Sequence, residues 1–107
     1  MASDNAYSAP VDALQLLICR VWSDILHEPR VGIHSTFLEL GGDSIGAMMI
    51  ANQLQRIFAE ELSIEVILGA YTVAQLAEKL RIHYPEAVQR LEVELDEEIA
   101  LLERGSH

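Results

Sequence analysis

Leu38-Glu39-Leu40-Gly41-Gly42-Asp43-Ser44-Ile45-Gly46 reads as a turn that runs straight into a helix. Paired glycines allow a tight change of direction. Asp43 has the short carboxylate that caps a helix by accepting a backbone N–H, and periodic apolar residues begin directly behind Ser44. Ser44 therefore falls in the first turn of a helix. Free backbone N–H groups and the positive end of the peptide dipole gather there, so an anionic phosphate ester on its hydroxyl is well placed. No adjacent residue is a base of the kind that would activate that hydroxyl. With no strand pattern on either side, the chain reads as all-α.

Upstream, Pro10 can open a first helix over Val11 to about His27, with Leu14, Leu17, Ile18, Val21 and Ile25 repeating at three and four. Trp22 and Leu26 widen that face, and Pro29 stops the run. Residues 28 to 43 form a long connection, in which Val31, Ile33, Phe37, Leu38 and Leu40 are expected to hold the loop against a bundle and deliver Ser44 to a fixed place.

The helix from Ser44 to about Glu60 carries the most information. At about 100° per residue, Ala47, Ile50, Ala51, Leu54, Ile57 and Phe58 share one face, the expected core face. Ile45, Met48 and Met49 point to the side of Ser44, and farther along that side turns polar with Asn52, Gln53, Gln55 and Arg56. The three are candidate docking contacts, since methionine suits surfaces that fit several partners. The competing reading buries them under the loop and the next helix.

Residues 61 to 71 hold only a short apolar group, Ile64, Val66, Ile67 and Leu68, enough for one or two turns. Thr72 followed by Gln75 is a capping box opening a helix with Val73, Leu76, Ala77 and Leu80 on one stripe, closed by Tyr84-Pro85. Residues 86 to 104 read as a further amphipathic helix striped by Val88, Leu91, Leu95, Ile99 and Leu102. Seven acids against Arg90 and Arg104 give it −5 of the chain's formal −10. A fifth packed helix, a linker and a docking or self-association helix compete for it, with linker or docking preferred. Residues 1–9 read as a loose leader, 10–85 as the domain, and 105–107 as a tail or cloning remnant.

A chain of 107 residues, half of them apolar, suits one folded domain. A net charge of −10 argues against nucleic acid and for partners with basic surfaces. Cys19 is the one cysteine, and with no apolar run long enough for a bilayer the expected setting is the cytoplasm, with no membrane contact. Inside a helix, Cys19 reads as a small buried hydrophobe. The four histidines and the cysteine show no metal-ligand spacing.

From about Leu14 to Leu80 the chain resembles phosphopantetheine-dependent carrier domains, most of all the peptidyl (thiolation) carriers of nonribosomal peptide synthetases. The resemblance rests on the helix from Leu17 to Leu26, the Phe37-to-Ser44 approach with its Gly41-Gly42-Asp43-Ser44 motif, and the closing Tyr71-Thr72-Val73-Ala74-Gln75-Leu76-Ala77. It implies a small four-helix carrier bundle with a long first loop and a short third helix, to which this chain adds the C-terminal acidic helix. It implies a non-catalytic carrier. A phosphopantetheinyl transferase, using coenzyme A and magnesium, attaches 4′-phosphopantetheine to Ser44, and the arm's thiol holds an aminoacyl, peptidyl or acyl group as a thioester. Asp43 caps the helix and meets the transferase, Gly41 and Gly42 permit the turn, and Ile45, Met48, Met49 and Leu68 are docking contacts. Implied partners are an adenylation or acyltransferase enzyme that loads the arm, and a condensation, ketosynthase or release domain that unloads it.

The doubled glycine resembles peptidyl carriers more than the acyl carriers of polyketide or fatty-acid pathways, which remain the alternative. Val66 and Tyr71 depart from the usual pattern and bear on partner identity. Two rivals come from other classes. Gly42-Asp43-Ser44-Ile45-Gly46 fits the G-x-S-x-G nucleophile elbow, and Gly42-Asp43-Ser44 also resembles the GDS block of small esterases. The elbow needs a strand before the serine and a sheet beneath it, and in the esterases a D-x-x-H pair follows the serine, whereas Asp24 and His27 precede it. An unmodified helical adaptor that binds through its acidic helix is the other.

Overall fold

The computed structural model describes residues 8–105 and contains five helices: α1 Ala13–Leu26, α2 Ser44–Phe58, α3 Ile64–Leu68, α4 Val73–His83 and α5 Pro85–Gly105. The all-α expectation holds. The only β-type pairing among the described residues is a single antiparallel bridge between Thr36 and Thr72.

Helix α1 is shorter than the sequence suggests, because a better cap lies inside the expected start. The Asp12 carboxylate accepts the Gln15 N–H at 2.8 Å, and the Gln15 side chain turns back to accept the Val11 N–H at 2.9 Å. Pro10 thus stands two residues outside the cap. At the other end His27 adopts the left-handed conformation, with φ +56°, and its N–H closes on the Ser23 carbonyl.

Helix α3 is capped by Ser63, and its flanks are fixed by side chains from elsewhere. The Ser63 N–H donates to the Tyr84 hydroxyl at 2.7 Å and the Leu62 N–H to Gln55 Oε1 at 2.9 Å. Thr72 caps α4 through the Gln75 N–H at 3.1 Å. The reciprocal half of the expected capping box is displaced by one residue: Gln75 Oε1 accepts from Tyr71, at 2.8 Å, instead of from Thr72. Pro85 opens α5 at a position where its missing N–H costs nothing.

Leu14 and Ile18 of α1, Ile50 and Leu54 of α2, and Val73, Leu76 and Leu80 of α4 are the largest fully buried side chains, so three helices share one core. The core face expected for α2 is largely inward: Ile50, Ala51, Leu54 and Phe58 are buried, Ala47 and Ile57 half-buried.

The connection from 28 to 43 is laced down at several points. The Ile33 N–H donates to the Ser8 carbonyl and the Ala74 N–H to the Ile33 carbonyl, each at 2.9 Å. The Phe37 N–H donates to the Tyr71 carbonyl at 2.8 Å. Thr36 and Glu39 exchange backbone-to-side-chain bonds at 2.9 and 3.1 Å. Val31 and Ile33 are buried and Phe37 and Leu40 half-buried, as expected. Leu38 is a correction: it is 75% exposed, because its neighbour Phe37 takes the inward place against Trp22.

Helix α5 divides. Ala87, Val88 and Leu91 are buried in the core and Leu95 packs at its margin, while Ile99, Leu101 and Leu102 stay exposed. Its first half is therefore a packed fifth helix. Arg81 of α4 braces that half, reaching Glu92 at 2.8 Å and the α1 cap Asp12 at 3.1 Å, and Arg90 meets Glu60 at 3.4 Å. Among the described residues no helix is long and apolar enough to cross a membrane. Residues 1–7, most of the expected leader, and 106–107 of the expected tail lie outside the described residues.

Candidate functional site

The turn before Ser44 is held by its own backbone. The Leu40 N–H bonds the Thr36 carbonyl at 3.2 Å, Gly41 bonds Leu38 at 3.0 Å, and Gly42 bonds Phe37 at 2.9 Å. Gly41 sits at φ +85°, a conformation an L side chain resists. Gly42 meets a different constraint. A Cβ there would lie 2.4 Å from the Phe37 ring, so glycine is what lets the chain cross that ring. Phe37 in turn stands edge-on to Trp22, with centroids 5.5 Å apart at 70°. A stack of Trp22, Phe37 and Gly42 thus fixes where α2 begins.

Asp43 then caps α2 as expected. Its Oδ1 accepts the Gly46 N–H at 2.8 Å, and its carbonyl accepts the Ala47 N–H at 2.9 Å. Ser44 is the first helical residue and is exposed. Among the described residues nothing accepts from the Ser44 and Ile45 N–H groups, which precede the first bonded one, so this end of the helix presents donors and its dipole beside the serine hydroxyl. The residue before Ser44 is a helix cap at the end of an irregular loop, where the nucleophile elbow would need a strand.

Ser44 stands on the rim of a mainly apolar groove of about 600 Å³. Buried Trp22, Ile50, Ile67 and Leu76 form its inner wall, and exposed Leu38, Met48, Leu68 and Tyr71 its rim. Trp22 Nε1 is buried with no acceptor among the described residues. Ile45, Met48 and Met49 are all exposed, Ile45 at 71%, so the loop and α3 do not bury them, and Leu68 of α3 is exposed as well. Met48 and Leu68 share the groove with Ser44; Ile45 and Met49 lie outside its lining.

Leu38 and Tyr71 belong to this surface too; the sequence marks Tyr71 as bearing on partner identity without making it a contact, and reads Leu38 as a loop anchor. For Tyr71 a signal existed: a bulky aromatic stands immediately before the Thr72 cap, where only part of it can pack. For Leu38 none did, since an apolar residue in a loop reads equally well as an anchor.

Cys19 plays no part here. It is buried in α1 away from the groove lining, and that burial pushes its thiol up to about 11.

A family model described as a phosphopantetheine attachment site matches residues 17–80. The chain is 40% identical over 80 residues to a linear gramicidin synthase of Brevibacillus parabrevis, covering 75% of this chain and 2% of that one. Among solved structures, BlmI, a type-II acyl-carrier-protein from Streptomyces verticillus involved in bleomycin biosynthesis, is 36% identical. The match covers 64% of this chain and 83% of that one, with TM-score 0.61. A peptidyl carrier protein solved in complex with the phosphopantetheine transferase Sfp and coenzyme A superposes with TM-score 0.66 at 28% identity, covering 72% of this chain and all of that one. The chain spans about 2% of the length of the synthases it matches. Since the match runs through most of α1, all of α2 and α3 and most of α4, with the turn and its serine inside it, the chain belongs to the phosphopantetheine attachment-site family as a carrier domain of the nonribosomal peptide synthetase kind.

Proposed function

We propose that Ser44 Oγ is the attachment atom for 4′-phosphopantetheine and that this domain carries aminoacyl or peptidyl groups between the enzymes of a peptide-forming assembly. The observation that carries the reading is an exposed serine in the first turn of a helix whose start is fixed by the Asp43 cap and by the Gly42–Phe37 contact. The residues present suit the group. The Ser44 hydroxyl is open to a transferase, the Ser44 and Ile45 N–H groups and the helix dipole favour the phosphodiester's negative charge, and an apolar groove lies alongside. When bound, the arm supplies a terminal thiol on a flexible tether, which keeps an acyl group activated and raises its effective concentration at each partner.

This chain's own residues position and recognise. Asp43 is engaged by Gly46 and orders the first turn; it is a positioning residue, and among the described residues no side chain hydrogen-bonds the Ser44 hydroxyl. In this reading bond-making is delegated to partners and the domain acts as a non-catalytic carrier. Ile45, Met48, Met49 and Leu68, joined by Leu38 and Tyr71, form the docking surface for the transferase, for an adenylation or acyltransferase loader, and for a condensation, ketosynthase or release domain. The relative solved with Sfp and coenzyme A supports the first of these. Supply of the arm from coenzyme A and a single buried thiol both suit the cytoplasm.

The test is intact-protein mass after incubation with coenzyme A, magnesium and a promiscuous phosphopantetheinyl transferase, run beside Ser44→Ala. One added phosphopantetheine on the parent and none on the folded variant is expected. No addition to the folded parent, with a control carrier modified in the same tube, would overturn the assignment.

A further inference from the structure

Ile50, Ile67 and Leu76 offer only hydrocarbon to the inner wall of the groove beside Ser44, so Trp22 is the one residue of that wall with a polar side-chain group. Trp22 is 2% exposed, and among the described residues its Nε1 has no acceptor. A buried indole N–H ordinarily finds a partner, since leaving it without one is unfavourable. Phe37, the ring that stands at 70° to the indole with centroids 5.5 Å apart, offers at most a weak π contact.

The lining of the groove states what kind of acceptor fits. At about 600 Å³ it is of small-ligand size, and its other polar side chains, Asp43, Ser44 and Tyr71, are exposed. A ligand that enters is therefore apolar along most of its length and bears a carbonyl to meet the indole.

Attachment at Ser44 supplies such a ligand at the groove's own edge. A phosphopantetheine arm carries geminal methyl groups and two amide carbonyls, and a group tethered at the rim is present at high effective concentration, so that even a weak contact is populated. Trp22 is also tied to the point of attachment, because its indole packs against Phe37, the ring that Gly42 crosses two residues before Ser44. The indole N–H is sealed from water, so the rim has to part before an acceptor reaches it. The rim side chains Leu38, Met48, Leu68 and Tyr71 are exposed, which leaves them room to move.

We infer that Trp22 is a positioning residue for the arm: between encounters with partners the pantetheine part folds back into the groove, with its methyl groups against Ile67 and Leu68 and one amide carbonyl accepting the Trp22 indole N–H. This inference rests on the assignment of Ser44 as the attachment atom.

Trp22 is the one tryptophan of the chain, so uniformly nitrogen- and carbon-labelled protein shows a single indole N–H resonance. Spectra are recorded before and after transfer of an unlabelled arm from coenzyme A, with complete loading established by intact mass and Ser44→Ala treated identically as the blank. On loading, the indole proton should move downfield and its exchange with heavy water should slow by about fivefold or more, the factor that one ordinary net hydrogen bond supplies. Isotope-filtered NOEs should appear from the arm to the indole N–H and from its geminal methyl groups to the Ile67 and Leu68 methyls. Trp22→Phe keeps an aromatic ring and removes the donor; once loaded, and shown by circular dichroism to be folded, it should lose the NOEs to Ile67 and Leu68. If that variant does not fold, the unloaded and loaded spectra of the parent decide alone. An indole resonance unchanged on the fully loaded parent, or arm NOEs that persist in folded Trp22→Phe, would overturn the inference and leave the attachment reading intact. So would a signature that appears only when an acyl group is placed on the thiol, since the acceptor would then be the cargo. Absence of any mass gain on the parent strikes the attachment reading itself, and this inference with it.

Discussion

At Gly42 the Phe37 ring stands 2.4 Å from where a Cβ would go, a separation that real side chains do not sustain, and the ring is itself pinned against Trp22. Gly42→Ala should therefore cost about 1–3 kcal/mol, the usual range for overpacking, and show as a lower chemical-denaturation midpoint. Gly46 supplies the contrast. A Cβ there meets Leu26 and Asp43 at 3.4 Å, ordinary contact, inside a helix where alanine is favoured. Gly46→Ala should leave stability unchanged or raise it by up to about 1 kcal/mol in the same assay. Cys19 makes a second prediction at this scale. Burial holds its pKa at about 11, so the folded thiol is neutral at pH 8 and enclosed. An aromatic disulfide reagent should label it only slowly until denaturant opens the chain, when one equivalent reacts. The linkage follows from the raised folded value. The unfolded thiol ionises first, near pH 8.5, so its contribution to stability is complete below that pH and falls as the pH climbs towards about 11.

Helix α5 joins two environments on one stripe, and substitutions along it should behave differently. Leu91→Ala opens a hole among buried neighbours and should cost about 2–5 kcal/mol, whereas Leu102→Ala removes a side chain already 71% exposed and should change stability by less than about 0.5 kcal/mol. Urea midpoints of the two variants, measured side by side, check this. Equal effects would mean that the distal half is packed on something within the chain. Arg81→Gln belongs with them. Its two bridges are about 40% exposed, so losing both should cost only about 1 kcal/mol, and less at high salt.

For the whole molecule, the core shared by α1, α2 and α4 is complete without the end of α5. A chain ending at Asp96 should keep its thermal midpoint within a few degrees and accept phosphopantetheine as the parent does. Ending it at Tyr84 instead removes buried Ala87, Val88 and Leu91 together with Glu92, and should lower the midpoint by roughly 10 °C or more. Differential scanning calorimetry of the two truncations separates the part of α5 that holds the domain together from the part that reaches outward.

What the sequence determined by itself is whatever a turn or two of chain can encode. The periodicities that make α1, α2 and α4, the caps at Asp43 and Thr72, the shortness of α3, and the break at Tyr84-Pro85 each depend on neighbours a few residues away. The position of Ser44 in a first turn followed from the same local rules. Only the tertiary structure decided which apolar residues stay outside. Leu38 faces out because Phe37 occupies the space against Trp22, a residue of another helix. Tyr71 forms a groove rim because Leu68 and Met48 come to stand near it. The Gln75 side chain bonds Tyr71 instead of Thr72 in a segment paired to Thr36, thirty-six residues away. Most of all, a single continuous stripe on α5 is half core and half surface, because the bundle it packs on ends near Leu95. A helix's own period says which residues share a face; it carries no information about how far the neighbouring elements extend to cover it.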